Sequence, residues 1–270
     1  MSEEAEALCG GDPELGADVT GFSPYGLMLV PRAAALTMLG RLEDAAHEAG
    51  RAIEIGRRRK DAEVLRAAHD GSASLCALAG DAQGALRHAR EGGSPFAAAM
   101  ANHANRRWRE AAEGLEGVVM FIRELRSNLE GEARLLGYLA EAYLGCGDTG
   151  RARQTADAAV AIARQRQQPH LEIRALLVRA RVVLATDGAP AAAEVETALR
   201  DATALVDATA ARIFAPFIQV ERAELARVLG DAVGRKRELA EAHRLFTETG
   251  AKGHAERVAG ELERRSGSAS

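Results

Sequence analysis

Aromatic residues make up only 4% of this 270-residue chain, with one Trp, three Tyr and six Phe, which leaves little from which to build a β-sheet core. Two runs, Val118–Ile122 and Ile213–Val220, come close to strand composition, and both lie inside longer helical patterns. Charge of one sign is lacking as well. Lys+Arg number 35 against Asp+Glu 39, a net charge of −4, so no global field draws the chain onto nucleic acid. No apolar run approaches the ~18 to 20 residues that a membrane span needs, and the opening Met-Ser-Glu-Glu-Ala-Glu is acidic where a signal peptide is basic. Cysteines are few. Cys9, Cys76 and Cys146 are odd in number and widely spaced, as free thiols in a reducing compartment are, and the cytoplasm is the expected location.

Catalytic signatures are also missing. The chain has no G-x-x-x-x-G-K-[ST], no G-x-S-x-G and no H-E-x-x-H, so no enzyme activity and no cofactor are predicted. Gly145-Cys146-Gly147-Asp148-Thr149-Gly150 matches G-x-G-x-x-G, but that loop cradles a pyrophosphate only after a strand, and here an amphipathic helix precedes it. Asp148-Thr149-Gly150 spells an aspartic-protease triplet with no second copy to share its proton. The seven histidines (His47, His69, His88, His103, His170, His243 and His254) form no i, i+4 pair with His or Cys, so no helical metal site is expected.

What is abundant is Ala, Leu, Arg and Glu, residues that lose little entropy in a helix. A phrase of Gly, polar residues and Ala recurs at helix starts: GRLEDA at Gly40–Ala45, GDAQGA at Gly80–Ala85, GDTGRA at Gly147–Ala152 and, more loosely, GDAVGR at Gly230–Arg235. Degenerate versions stand at Arg106–Ala111 and Thr186–Ala191. With Arg106 and Asp187 taken for the missing glycines, the turns are spaced by 40, 26, 41, 40 and 43 residues. Each turn reads as a Gly ending one helix and a polar residue starting the next. The short interval predicts two clipped helices, Ala82–Arg90 and Pro95–Ala104.

The clearest unit is 131–164. Leu136, Leu139, Ala140 and Tyr143 share one face of its first helix, and Ala152, Ala156, Ala159 and Ile162 share one face of its second. It resembles the tetratricopeptide repeat, with large and small apolar residues in the first helix, Gly at the turn and Ala twice in the second. A good match recurs in 29–58 through Leu29, Ala33, Leu36, Gly40, Ala45 and Ala52. The predicted fold is therefore all-α: a tetratricopeptide-like right-handed solenoid of antiparallel helix pairs, about six repeats plus a C-terminal capping helix. Residues 1–22 read as a partial helix and loop, 23–249 as the solenoid, 250–265 as the cap and 266–270 as a disordered tail. With Ser2–Leu8 too short to cap it, the chain is expected to begin in mid-solenoid, with self-association through its first helices.

GDPELGADVTGFSPYG near the start and RLFTETGAKGHAERVAGELE at the end are similar to the C-terminal repeat regions of large bacterial signalling proteins, of the class III cyclase-ATPase and the large LuxR-type regulator kinds. The resemblance implies a regulatory or assembly role within a longer parent, and a protein or peptide partner that includes the parent's own domains.

Two basic runs are read as structural. Arg57-Arg58-Arg59-Lys60 ends a helix, where cations complement its dipole, and Trp108 of Arg106-Arg107-Trp108-Arg109 takes the packing position of Leu42. Tetratricopeptide proteins receive partners along their first helices. Projected from the clear unit, that inner surface carries Arg134, Glu141, Arg174, Arg181, Glu224 and Arg227, with Met100 and His103 in the clipped repeat. These arginines either grip an acidic segment or pair with glutamates across adjacent helices. A groove that senses a small-molecule effector is the alternative function.

Overall fold

The computed structural model describes residues 10–266, with side chains through Arg264, so Cys9 and the Ser2–Leu8 segment lie outside the described residues. After a single helical turn at Ala17–Thr20, the chain forms α1 (Pro24–Met38), α2 (Leu42–Arg59), α3 (Ala62–Ala79), α4 (Ala82–Gly92), α5 (Pro95–Ala104) and α6 (Trp108–Glu124). Then come α7 (Glu132–Gly145), α8 (Thr149–Gln165), α9 (Pro169–Asp187), α10 (Ala192–Thr209), α11 (Ala215–Val228), α12 (Ala232–Thr249) and α13 (Lys252–Ser266). No strand occurs among the described residues. The helices pack in consecutive pairs, α1/α2 through α11/α12, and each second helix also packs on the first helix of the next pair. α13 continues the pattern by packing on α12.

One closing device ends most of these helices. At the first turn the Gly40 amide bonds to the Thr37 carbonyl and the Arg41 amide to Leu36, the paired arrangement of a left-handed helix end. Gly40, Gly80, Gly147 and Gly230 hold the left-handed residue within the pairs, and Arg106 takes the same role with φ 56°. At the fifth turn the left-handed residue is Gly188 rather than Asp187, which ends α9. Asp81, Asp148 and Asp231 then accept from the amide three residues on, starting the next helix.

The clipped pieces are where the spacing puts them: α4 has 11 residues and α5 has 10, while α6 has 17. Measured from their shared turn, α6 outruns α5 by seven residues, and Met120, Phe121 and Leu125 at its far end are exposed. In α7/α8, small residues set the spacing. Ala140, Ala152, Ala156 and Ala159 are fully buried, with Leu136, Leu139 and Tyr143 closing the same core and Ile162 half-buried. Gly145 makes room for Trp108, whose indole occupies the place a Cβ would take.

One large apolar core runs from α5 to α13, while α1–α3 hold a small one of their own built on Tyr25, Leu29, Ile53, Ile55 and Val64. The stack curls until its ends meet. α13 touches α3, and the turn at Gly40 lies against Thr249 and Arg212.

Candidate functional site

The first helices α5, α7, α9 and α11 carry a chain of charged side chains that runs from pair to pair. At its centre is Glu141 of α7, whose side chain is only 10% exposed. Its Oε2 receives Arg174 Nη2 of α9 at 2.7 Å and stands 3.0 Å from His103 Nε2 of α5. Its Oε1 receives Arg181, also on α9, which reaches on to Glu221 of α11, Nε to Oε1 at 2.9 Å. Glu141 and Arg181 stand six residues before their turns at Gly147 and Asp187 and so occupy one position in successive pairs, whereas Glu221, nine before Gly230, lies one helical turn earlier.

Burial pushes the Glu141 carboxyl up, but Arg174 and Arg181 outweigh it and hold it well below the usual carboxylate range. Glu221 answers to Arg181 alone and also feels Glu141 and Glu224, so burial prevails and its carboxyl is raised. Arg181, desolvated but flanked by both glutamates, is held firmly protonated. The ladder thus has the mutual pairing across adjacent helices that was one of the two expectations for these residues.

Two turns back along α7 the picture changes. Arg134 makes no ion pair and no hydrogen bond among the described residues; its guanidinium lies over the Phe96 ring, 5.2 Å from the centroid. Burial and the neighbouring Arg174 push its pKa down, with Tyr138, Asp70 and Glu130 opposing from a distance. Asp70 meets Arg66 through Oδ2 at 3.3 Å, while its buried Oδ1 has no hydrogen-bond partner among the described residues and its charge is felt by Arg134 without contact. Arg174 stacks 3.6 Å over the Tyr138 ring and spends one nitrogen on Glu141, while its Nε is buried without an acceptor. The Tyr138 hydroxyl makes no hydrogen bond among the described residues. His170, one helical turn before Arg174, is held neutral by burial first and by Arg134 second. Arg134, the Tyr138 hydroxyl and Arg174 Nε therefore gather with no acceptor in bonding contact.

The remaining predicted residues fall elsewhere. Glu224 and Arg227 pair with each other, Arg227 Nη2 to Glu224 Oε1 at 2.6 Å, off the ladder. Met100 departs from its predicted surface position: it is fully buried, because its side of α5 joins the large apolar core with Ala99, Ala111 and Leu115. Residues that periodicity alone did not single out are Glu221, Tyr138 and Phe96. The 40-residue step from Arg181 would have found the first. A further unforeseen contact joins His69 and His88, Nδ1 to Nδ1 at 3.0 Å, across 19 residues of sequence. Their pKa values are lowered, in both cases by burial before anything else.

Among the described residues no cluster of three or more His, Cys, Asp or Glu is arranged to hold a metal ion, and no helix is long and apolar enough to cross a membrane. No protein-family model matches the chain, and no curated protein matches it.

Proposed function

We propose that this chain is a tetratricopeptide-type solenoid that works as a protein-interaction and regulatory scaffold, binding rather than catalysing, with an acidic segment of a partner received on the inner face. The observation that carries the reading is the unmet set of donors at Arg134, Tyr138 and Arg174 beside the Phe96 ring. A guanidinium with no carboxylate in a partly desolvated place favours an incoming anion, and an aromatic surface beside it favours an apolar neighbour in the same segment. The Glu141 ladder, already neutralised, positions this end without competing for the anion.

A labelled peptide rich in Glu and Asp with one apolar residue, titrated by fluorescence anisotropy, tests it. Binding should weaken as salt rises and should fall about tenfold in Arg134→Ala, roughly 1.4 kcal/mol. No binding by the native chain, or equal affinity in the variant, defeats the reading. We further read the chain as the C-terminal repeat segment of a cyclase-ATPase or LuxR-type signalling protein, in the cytoplasm, which a cyclase or ATPase domain encoded in frame upstream of Met1 would support. Self-association through α1 belongs to the same reading, since Leu27, Met28, Val30 and Pro31 line an apolar hollow on its outer side.

A further inference from the structure

The two ends of the stack meet along a short seam made mostly of backbone. Gly80, in the turn after α3, touches Gly253 at the start of α13. A Cβ on Gly80 would stand 2.7 Å from the His254 amide nitrogen, and one on Gly253 would overlap the Gly80 carbonyl. At the first turn, a Cβ on Gly40 would stand 2.8 Å from Thr249 Cγ2. Leu42 leaves the small N-terminal core and joins the large C-terminal one, with Gly250 against its Cβ. Lys252 reaches Glu43 across the seam at 3.4 Å, both side chains being exposed.

Such a seam is closely fitted yet lightly held. Glycines at three facing positions permit an approach that no other residue would, so the ends are shaped to meet. Against that, few side chains hold it: Leu42 sits in the large core, the His254 ring lies against the Ala77 backbone of α3, and the Lys252–Glu43 pair, being exposed, contributes little in water. Helices within the stack are instead packed along their length on both neighbours. A contact of this kind opens locally while the rest of the fold persists.

We propose that the seam is a clasp, and that its opening gives a partner access to the inner face that carries Arg134, Arg174 and Arg181. The clasp rests, for its purpose, on the reading of that face as a binding surface. Its opening is a separate physical event. When closed, α13 holds His254 and Arg257 near Arg181 of the ladder; when open, the curl relaxes and the arginines become reachable from that side.

Carbodiimide treatment joins a Lys to a Glu only at contact distance, so the closed native chain should yield a Lys252–Glu43 amide that mass spectrometry identifies. Phenylglyoxal labelling of Arg174 and Arg181 is then compared in the native chain, the cross-linked chain and Gly253→Val, whose side chain has no room at the seam. The expected order is Gly253→Val fastest by several-fold, native next and cross-linked slowest, with exposed Arg237 labelling equally in all three. Small-angle scattering should show Gly253→Val to be larger at unchanged helix content. If Gly253→Val loses its helical circular dichroism, Leu42→Ala, which removes contact without adding bulk, serves in its place and should give the same order. Equal labelling rates, or no Lys252–Glu43 amide from the native chain, overturn the clasp. If labelling follows the expected order while no acidic peptide binds, the clasp stands and the binding reading falls; tight peptide binding with equal labelling gives the reverse.

Discussion

Arg181 and Arg134 lie on the first helices of consecutive pairs, α9 and α7, and they are built into different surroundings. Arg181 sits between Glu141 and Glu221, so its charge is answered twice, and the ladder they form is as much a joint between pairs as a set of charges. Arg134 has an aromatic ring beneath it, another arginine nearby and no carboxylate in contact. Both are repeat-surface arginines of the same composition class. What separates them is whether the neighbouring pairs supply a glutamate within reach, as Glu141 and Glu221 are for Arg181. Where they do, the inner face is a structural weld; where they do not, it is chemically open.

The largest expected effect comes from breaking the welded region. Glu141→Ala leaves Arg174, 14% exposed, without its carboxylate while Arg181, 37% exposed, keeps Glu221, and one uncompensated buried charge costs about 3 to 5 kcal/mol. Urea unfolding followed by circular dichroism should show a midpoint shift of that size. Glu141→Gln keeps the shape and should recover part of the loss, because its amide oxygen still accepts one bond. A loss under about 1 kcal/mol in Glu141→Ala would mean that the ladder is solvated and that the contrast with Arg134 is one of degree.

How far the two regions were legible beforehand follows the same division. The helix pairs, the clipped α4 and α5 and the start of a last helix near Ala251 all follow from turn glycines and apolar spacing, because those signals act within a few residues. The joints between pairs were less visible: Lys60, Gln167 and Ala210 take left-handed conformations there with no glycine to announce them. Arg134, Glu141, Arg174 and Arg181 were placed on one face by projection, but pairing is a property of neighbours in space. Nothing within α7 distinguishes Arg134, which lacks a carboxylate, from Arg174 and Arg181, which have one. Met100 went astray for a related reason. Its periodicity alone does not tell a core position from a surface one, and in space its side of α5 joins the large apolar core with Ala111 and Leu115 of α6. The meeting of Gly80 with Gly253 joins residues 173 positions apart, beyond any local signal.

An intermediate effect comes from the end that closes the ladder. His254 of α13 lies between Phe217 and Phe246, each ring centroid 5.1 Å away, and its pKa is lowered to about 4, by burial first and by Arg257 second. Arg181 from α9 and Arg106 from the α5–α6 turn push the same way, and the Ala77 backbone of α3 opposes them. The folded chain therefore prefers the neutral ring. Its contribution is intact above about pH 6.5 and is lost as pH falls towards 4, by up to about 3 kcal/mol. Stability measured between pH 7 and pH 4 should decline more steeply in the native chain than in His254→Phe, which has nothing to protonate there. Parallel curves would show that the ring is wetter than its surroundings imply.

The smallest effect is the one that sharpens the comparison most. Arg134→Gln removes a charge that no carboxylate contacts, that Arg174 repels and that Asp70 and Glu130 attract from a distance, so stability should change by no more than about 0.5 kcal/mol. The same replacement at Arg181 exposes Glu141 and Glu221 to each other in a buried setting and should destabilise the chain far more. A residue that weakens peptide binding when replaced and leaves folding untouched is there for its ligand; one that does the opposite is there for the fold. Measuring both variants by urea unfolding and by anisotropy assigns each arginine to one side, and an Arg134→Gln that unfolds as readily as Arg181→Gln would merge the two regions into a single structural network.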